Sequence, residues 1–284
     1  MLFEQIKTIV DRGKSRKLRE GYIINLIKEY LQNIILEYIY SNKAINNQLV
    51  FTGGTCLRFC FNLPRLSEDL DFDCEKSQDH HAIAEDIKAY FRGNLRYREI
   101  DFSVKGCDHK IYFKFPFLKK LDLDFNGSSM LLLKVEIARV DMRDAGLETS
   151  LVERSGRTYF LKRYSLPDLM AGKIHAFLAR LFFKGKENEV DFKGRDIYDL
   201  AWYMGKNVVP NTKRLTRLFI GTKYEKMTWP EILAEIHLKA KKVKRNSIYL
   251  DLANFIENPA GLDNFLANYL SIIGQYYEKY ANSL

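Results

Sequence analysis

The chain has 284 residues, 46% hydrophobic and 13% aromatic, enough for a packed core in one large domain or two small ones. Its 45 basic and 36 acidic residues give a formal charge of +9, which favours a polyanionic partner such as nucleic acid or nucleotide. No signal peptide and no membrane span are expected. Glu4 and Lys7 interrupt the opening MLFEQIKTIVDRGK, and no uncharged apolar stretch approaches the ~20 residues a span needs.

Leu18–Ser41 has Ile23, Ile24, Ile27, Leu31, Ile34, Ile35 and Tyr38 at helical spacing, ended by the polar stretch Asn42–Gln48. Leu49–Thr52 reads as a short strand running into Gly53-Gly54, and Thr55–Phe61 as a short helix. Pro64 breaks the chain before a strand at Asp69–Cys74. His80–Phe91 reads as a helix, with strands around Arg98–Val104, Lys110–Phe117 and Leu131–Val140. No element is assigned between Val140 and Leu166. Beyond Pro167 the patterns are helical: Leu166–Phe183, Asp196–Met204, Thr212–Ile220, Trp229–Lys242, Ile248–Ile256 and Leu262–Tyr280. The expected class is α+β. Residues 1–165 form a lobe of mixed sheet flanked by helices, N-terminal ones included, and residues 166–284 a helical lobe.

The four cysteines, Cys56, Cys60, Cys74 and Cys107, lack zinc-site or secreted-scaffold spacing, so reduced thiols in a cytoplasmic protein are expected. Cys56 and Cys60 lie one helical turn apart, with His80 and His81 further on. No second close pair of ligands completes a zinc set there.

The tetrapeptide DLDF occurs twice, at Asp69–Phe72 and Asp122–Phe125. On a strand Asp69, Asp71 and Asp73 share one face, and three like charges there repel. A divalent cation removes that penalty, because hard cations take several carboxylate oxygens. Gly53-Gly54 lies between a strand and a helix, where bare amides can cradle phosphate. Metal ligands beside a phosphate cradle suit phosphoryl or nucleotidyl transfer. The second copy is followed by Asn126-Gly127-Ser128-Ser129, a turn signal. Its Asp122 and Asp124 read as a solvated strand end or loop, paired with Lys119 or Lys120. A third carboxylate, Glu136, lies on the strand LLLKVEIARVD, on the face it shares with Lys134 and Ala138. Asp69, Asp71 and Glu136 are the expected metal set.

Four motifs in order, GGTCLRF, RLSEDLDF, KVEI and LMAGKIHAFLARLFFKGKENEVDFKGRDIYDL, resemble the AbiEii/MenT-type toxins, which are nucleotidyltransferases of the DNA polymerase β-like superfamily. The likeness runs from about Phe51 to Leu200. Thr55 stands where many superfamily members have serine, and the hydroxyl is kept. The resemblance implies a Mg²⁺-dependent enzyme, with two ions, that moves a nucleotide from an NTP to RNA, the 3′ end of tRNA foremost. It also implies a cognate antitoxin as partner. It places Gly53, Gly54, Thr55, Arg65 and Ser67 at the nucleotide's phosphates. Lys173, set in the apolar stripe of its helix, becomes a triphosphate contact. Asp196, of the Arg195-Asp196 pair, becomes a functional acid, and Asp199 a structural partner of a nearby base. The rivals are transfer to a small molecule such as an antibiotic and a catalytically silent nucleic-acid-binding protein. The run HLKAKKVKR, with Lys239, Lys241, Lys242, Lys244 and Arg245, is either a solvated helix face or a grip on an RNA backbone.

Overall fold

A computed structural model describes residues 1–106, 109–124, 127–179 and 193–281. It divides into two compact units, one of Met1–Met142 with Leu147–Arg163, the other of Arg143–Gly146 with Tyr164–Leu284. Among the described residues no helix is long and apolar enough to cross a membrane.

The first unit is built on a seven-stranded mixed sheet in the order β3-β4-β5-β2-β1-β7-β6. The strands are β1 (Val50–Thr52), β2 (Asp69–Cys74), β3 (Asp101–Lys105), β4 (Lys110–Phe115), β5 (Leu131–Arg139), β6 (Leu147–Arg154) and β7 (Arg157–Tyr164). The helices are α1 (Leu2–Ser15), α2 (Glu20–Ser41), α3 (Gly53–Phe61) and α4 (His80–Gly93). The class is α+β, as the hydrophobic periods predict.

The centre of the sheet runs β4, β5, β2, β1. β2 is parallel to β5 and antiparallel to β1, while β4 is antiparallel to β5. Along β2, and along β5 as far as Ala138, buried side chains alternate with more exposed ones, so each strand has a buried apolar face and a second, mostly polar one. The apolar set includes Leu70, Phe72, Ile111, Phe113, Val135 and Ile137, all essentially inaccessible. Helix α4 packs on this side through Ile83, Ile87 and Phe91, with the Phe91 and Phe115 ring centroids 5.5 Å apart. Helix α2 is buried on most of its circumference, as an all-round apolar helix must be. Its buried Asn33 is partnered at both ends of its amide. Asn33 Nδ2 donates to the Arg154 carbonyl at 2.8 Å and Asn33 Oδ1 accepts from the Tyr159 hydroxyl at 2.8 Å.

The hairpin β6–β7 fills the stretch between Val140 and Leu166, where the sequence pattern assigns no element. Its turn, Ser155-Gly156, has φ values of 49° and 73°, the paired positive angles of a type I′ turn. Ser-Gly between the mostly exposed edge strand β6 and its neighbour β7 gives too weak an alternation to read as a hairpin.

The second unit is helical: α5 (Leu166–Ala179), α6 (Gly194–Gly205), α7 (Thr212–Leu218), α8 (Trp229–Lys242), α9 (Arg245–Leu252) and α10 (Pro259–Ala281). The end of the expected Leu166–Phe183 helix, Leu181 included, lies outside the described residues. The short stretch Arg143–Gly146 belongs here because its backbone is tied to α5 and α7. The Gly146 N–H donates to Asp168 at 2.9 Å, and Asn211 Nδ2 donates to the Asp144 carbonyl at 2.7 Å. Helix α8 starts at a full capping box, Thr228 with Glu231.

Candidate active site

In the first unit the chain leaves β1 at Thr52 and turns into α3 on Gly53, whose φ is +78°. That angle strains any residue with a Cβ. The space is closed as well: a Cβ on Gly53 would lie 2.2 Å from Asp71 Oδ2. The glycine therefore lets the Asp71 carboxylate reach the backbone of the turn. A Cβ on Gly54 would lie 2.6 Å from Arg65 Nη2 and 3.1 Å from Ser67 Oγ. So Gly53, Gly54, Arg65, Ser67 and Asp71 meet at one turn. The first backbone N–H groups of α3 have no partner inside the helix and present positive charge there.

Each of these groups is held by its surroundings. Arg65 is only 2% exposed and donates through Nη1 to the Leu66 carbonyl at 2.8 Å. The Ser67 carbonyl accepts from Gln32 Nε2 of α2 at 3.1 Å, and the neighbouring Glu68 pairs with Lys28 of α2 at 3.8 Å. Thr55 is buried, and its hydroxyl donates to the Asp69 carbonyl. That side chain clamps α3 to β2. The hydroxyl is therefore committed to the fold, and of the expected phosphate contact only the backbone N–H is left.

The parallel register sets Asp71 beside Glu136 and Asp69 beside Lys134. All four are on the polar face. Lys134, to which the sequence reading gave no role, stands between two of the three acids. Its Nζ is 2.9 Å from Asp69 Oδ2 and 3.1 Å from Glu136 Oε2. Burial opposes its charge, but Asp69 and Asp71 outweigh burial and hold it above the ordinary lysine range. Burial, aided by Glu68, lifts the Asp69 carboxyl above its usual range, with Lys134 pulling it back. Among the described residues no three acids, histidines or cysteines converge tightly enough to cage a metal unaided. The face nevertheless suits a hard cation. Its donors are carboxylate oxygens on adjacent strands, and a cationic group, the Lys134 ammonium, is already stabilised between two of them.

Asp122 and Asp124 differ throughout. Both are exposed. Asp122 has left-handed backbone after a turn at Lys119–Leu121, and Asp124 accepts from the Gly127 N–H at 2.7 Å. Their expected pairing with Lys119 or Lys120 is corrected. Lys120 pairs instead with Glu99, in the loop before β3, at 2.7 Å.

In the second unit Lys173 of α5 is 2.9 Å from Asp196 and 2.8 Å from Asp199, both buried on α6. The lysine in the apolar stripe is thus explained by anions rather than by reach to solvent. Arg195 points elsewhere. Its N–H and Nε donate to Asp251 of α9 at 3.0 and 3.4 Å, and its guanidinium lies 4.4 Å from the Phe255 ring centre. Lys239 donates to the Phe177 carbonyl at 3.0 Å, while Lys241, Lys242, Lys244 and Arg245 are exposed.

Residues 34–268 match the model of the family described as nucleotidyl transferase AbiEii toxin, type IV TA system. The chain belongs to the AbiEii nucleotidyltransferase toxin family. Among solved structures it is similar to MenT4, a nucleotidyltransferase toxin from Mycobacterium tuberculosis H37Rv. The identity is 15%, over 97% of this chain and 92% of that one, with a TM-score of 0.51. It is also similar to JHP933 from Helicobacter pylori, at 16% identity over 90% and 92% of the two chains with a TM-score of 0.49. At such identity the likeness to MenT4 shows the fold alone. No curated protein sequence matches the chain. For this AbiEii-family member the glycine turn and the β2 carboxylates lie in the unit that holds the mixed sheet.

Proposed function

We propose that the chain transfers a nucleoside monophosphate from an NTP to the 3′-terminal hydroxyl of an RNA, tRNA foremost, as the toxin of a pair with a cognate antitoxin. The observation that supports this best is the approach of Asp71 to Gly53 with Arg65 and Ser67 against Gly54. Phosphate-binding and metal-binding chemistry meet there at one turn.

The triphosphate lies against the N-terminal amides of α3, with Arg65 and Ser67 on its oxygens; a guanidinium fork suits that task. Asp69, Asp71 and Glu136 would hold Mg²⁺, which when bound neutralises charge on the α-phosphate and the leaving pyrophosphate. Lys134 keeps the carboxylates from repelling one another and orients Asp69 and Glu136. For Lys173 we propose a nucleotide phosphate contact, with Asp196 and Asp199 fixing its ammonium. The acceptor oxygen forms a bond to the α-phosphorus, the bond from that phosphorus to the bridging α–β oxygen breaks, and pyrophosphate departs. The acceptor's proton is released.

The test is incubation with each radiolabelled NTP, Mg²⁺ and total tRNA. Label in RNA is expected. Label only in small molecules would point to an antibiotic-modifying type of activity, and tight RNA binding with no label to a silent binder.

A further inference from the structure

The register continues the polar face beyond the acids. One row crosses four strands as Asp71, Glu136, Lys110 and Lys105, and the next as Asp69, Lys134, Tyr112 and Ser103. Lys114 follows on β4, opposite Asp101. Adjacent strands lie about 4.8 Å apart, so Lys110 stands one strand from Glu136 and Lys105 two. Lys110, Tyr112 and Lys114 are half-buried and Lys105 is exposed. Their strand neighbours Ile111, Phe113 and Phe115 face the opposite, buried side.

This arrangement has a cost. Lys105 and Lys110 are direct cross-strand partners, and like charges so placed repel. The Lys105 ammonium lies 5.9 Å from the Tyr112 ring centre, a weak offset. Lys134 is already committed to Asp69 and Glu136. Lysines on edge strands commonly prevent unwanted pairing, and β3 is an edge strand. That accounts for Lys105. It leaves out Lys110 and Tyr112, because β4 is paired on both sides, while Lys114 has Asp101 as its cross-strand partner.

We infer that Tyr112, with Lys105, Lys110 and Lys114, forms the bed for the single-stranded 3′ end of the acceptor RNA. Tyr112 stacks a base and the lysines meet the phosphates leading away from the reacting end. An aromatic platform among ammonium groups holds single strands without reading their sequence. The charge pattern also sets polarity. Phosphates of the incoming strand are repelled over the carboxylates and attracted over β4, which leaves the terminal hydroxyl at the Glu136 end. The inference rests on RNA being the acceptor, so binding and turnover are measured separately.

Anisotropy of a labelled single-stranded RNA on the full chain reads binding without turnover. Tyr112→Leu should weaken it about tenfold, the loss of one stacked base, and Tyr112→Phe should restore it. Lys110→Gln with Lys114→Gln should lower the log–log salt slope by about 1.4, roughly 0.7 per charge for a single strand. NTP affinity should stay at the wild-type value and the melting temperature should not fall, since Lys110→Gln removes the repulsion with Lys105. Unchanged RNA affinity and slope in these folded variants would overturn the inference, as would wild-type protein that binds no RNA. Transfer to RNA with an unaltered KM for RNA in the variants would also overturn it, while leaving the proposed reaction standing. RNA binding that depends on Tyr112 and the lysines, with no label transferred by wild type, would sink the reaction and keep the face.

Discussion

At the scale of single residues, the two DLDF copies differ through their neighbours. Asp71 lies against Gly53, whereas Asp124 caps a turn at Gly127. Asp69→Asn and Asp71→Asn should each reduce nucleotide transfer to background, while Asp122→Asn with Asp124→Asn should keep it near wild type. Gly53→Ala should cost about 1–2 kcal/mol of backbone strain in denaturant unfolding and abolish transfer by pushing Asp71 aside. Lys134 yields a different measurement. Burial raises Asp69 and the Lys134 ammonium opposes that rise. In Lys134→Met the opposition is gone, so in metal-chelated protein Asp69 should titrate at still higher pH and be less ionised at any given pH. Carboxyl-carbon NMR of the two proteins checks this, and a downward or absent shift would refute the role given to Lys134.

At the scale of elements, α2 and β5 present the site, and α5 with α6 encloses the ion cluster. Helix α2 fixes the segment before β2 through Gln32 and Lys28. Substituting Gln32 by Leu should therefore loosen Ser67 and weaken NTP binding with little change in RNA affinity, as separate titrations would reveal. In the helical unit Lys173 has a structural duty besides any catalytic one. Lys173→Met leaves Asp196 and Asp199 buried without their ammonium, and breaking a buried pair from one side costs about 3–5 kcal/mol. Equilibrium unfolding should show that loss. A Lys173→Met protein as stable as wild type would mean that the cluster is held by other groups.

At the scale of the whole molecule, the formal charge of +9 includes the β4 face and the exposed run after Lys239. The run divides. Lys239 is bound to the Phe177 carbonyl and lies 5.2 Å from that ring, whereas Lys241, Lys242, Lys244 and Arg245 remain exposed. Neutralising these four together should lower RNA affinity and flatten its salt dependence while sparing NTP binding. An unchanged slope would make them a solvated face and leave the β4 lysines as the main electrostatic contact.

Local pattern alone placed β2 and α2, because a strict two-residue alternation and a long run of isoleucines at helical spacing need no partner to be recognised. It also set Asp69, Asp71 and Asp73 on one face, since that follows from strand geometry whatever the fold. The order of motifs fixed the family. Sequence could not supply register. Pairing Asp71 with Glu136 and Asp69 with Lys134 depends on how β2 and β5 slide past each other, which is set by the apolar contacts of their other faces. For the same reason Lys134 passed as an ordinary strand lysine, and Tyr112 and Lys110 as members of an unremarked strand. The partners of Lys173 lie more than twenty residues away on another helix, so only packing of α5 on α6 could show whether its charge was met by solvent or by acids. Periodicity specifies which face a residue takes, and tertiary packing specifies which residues share that face.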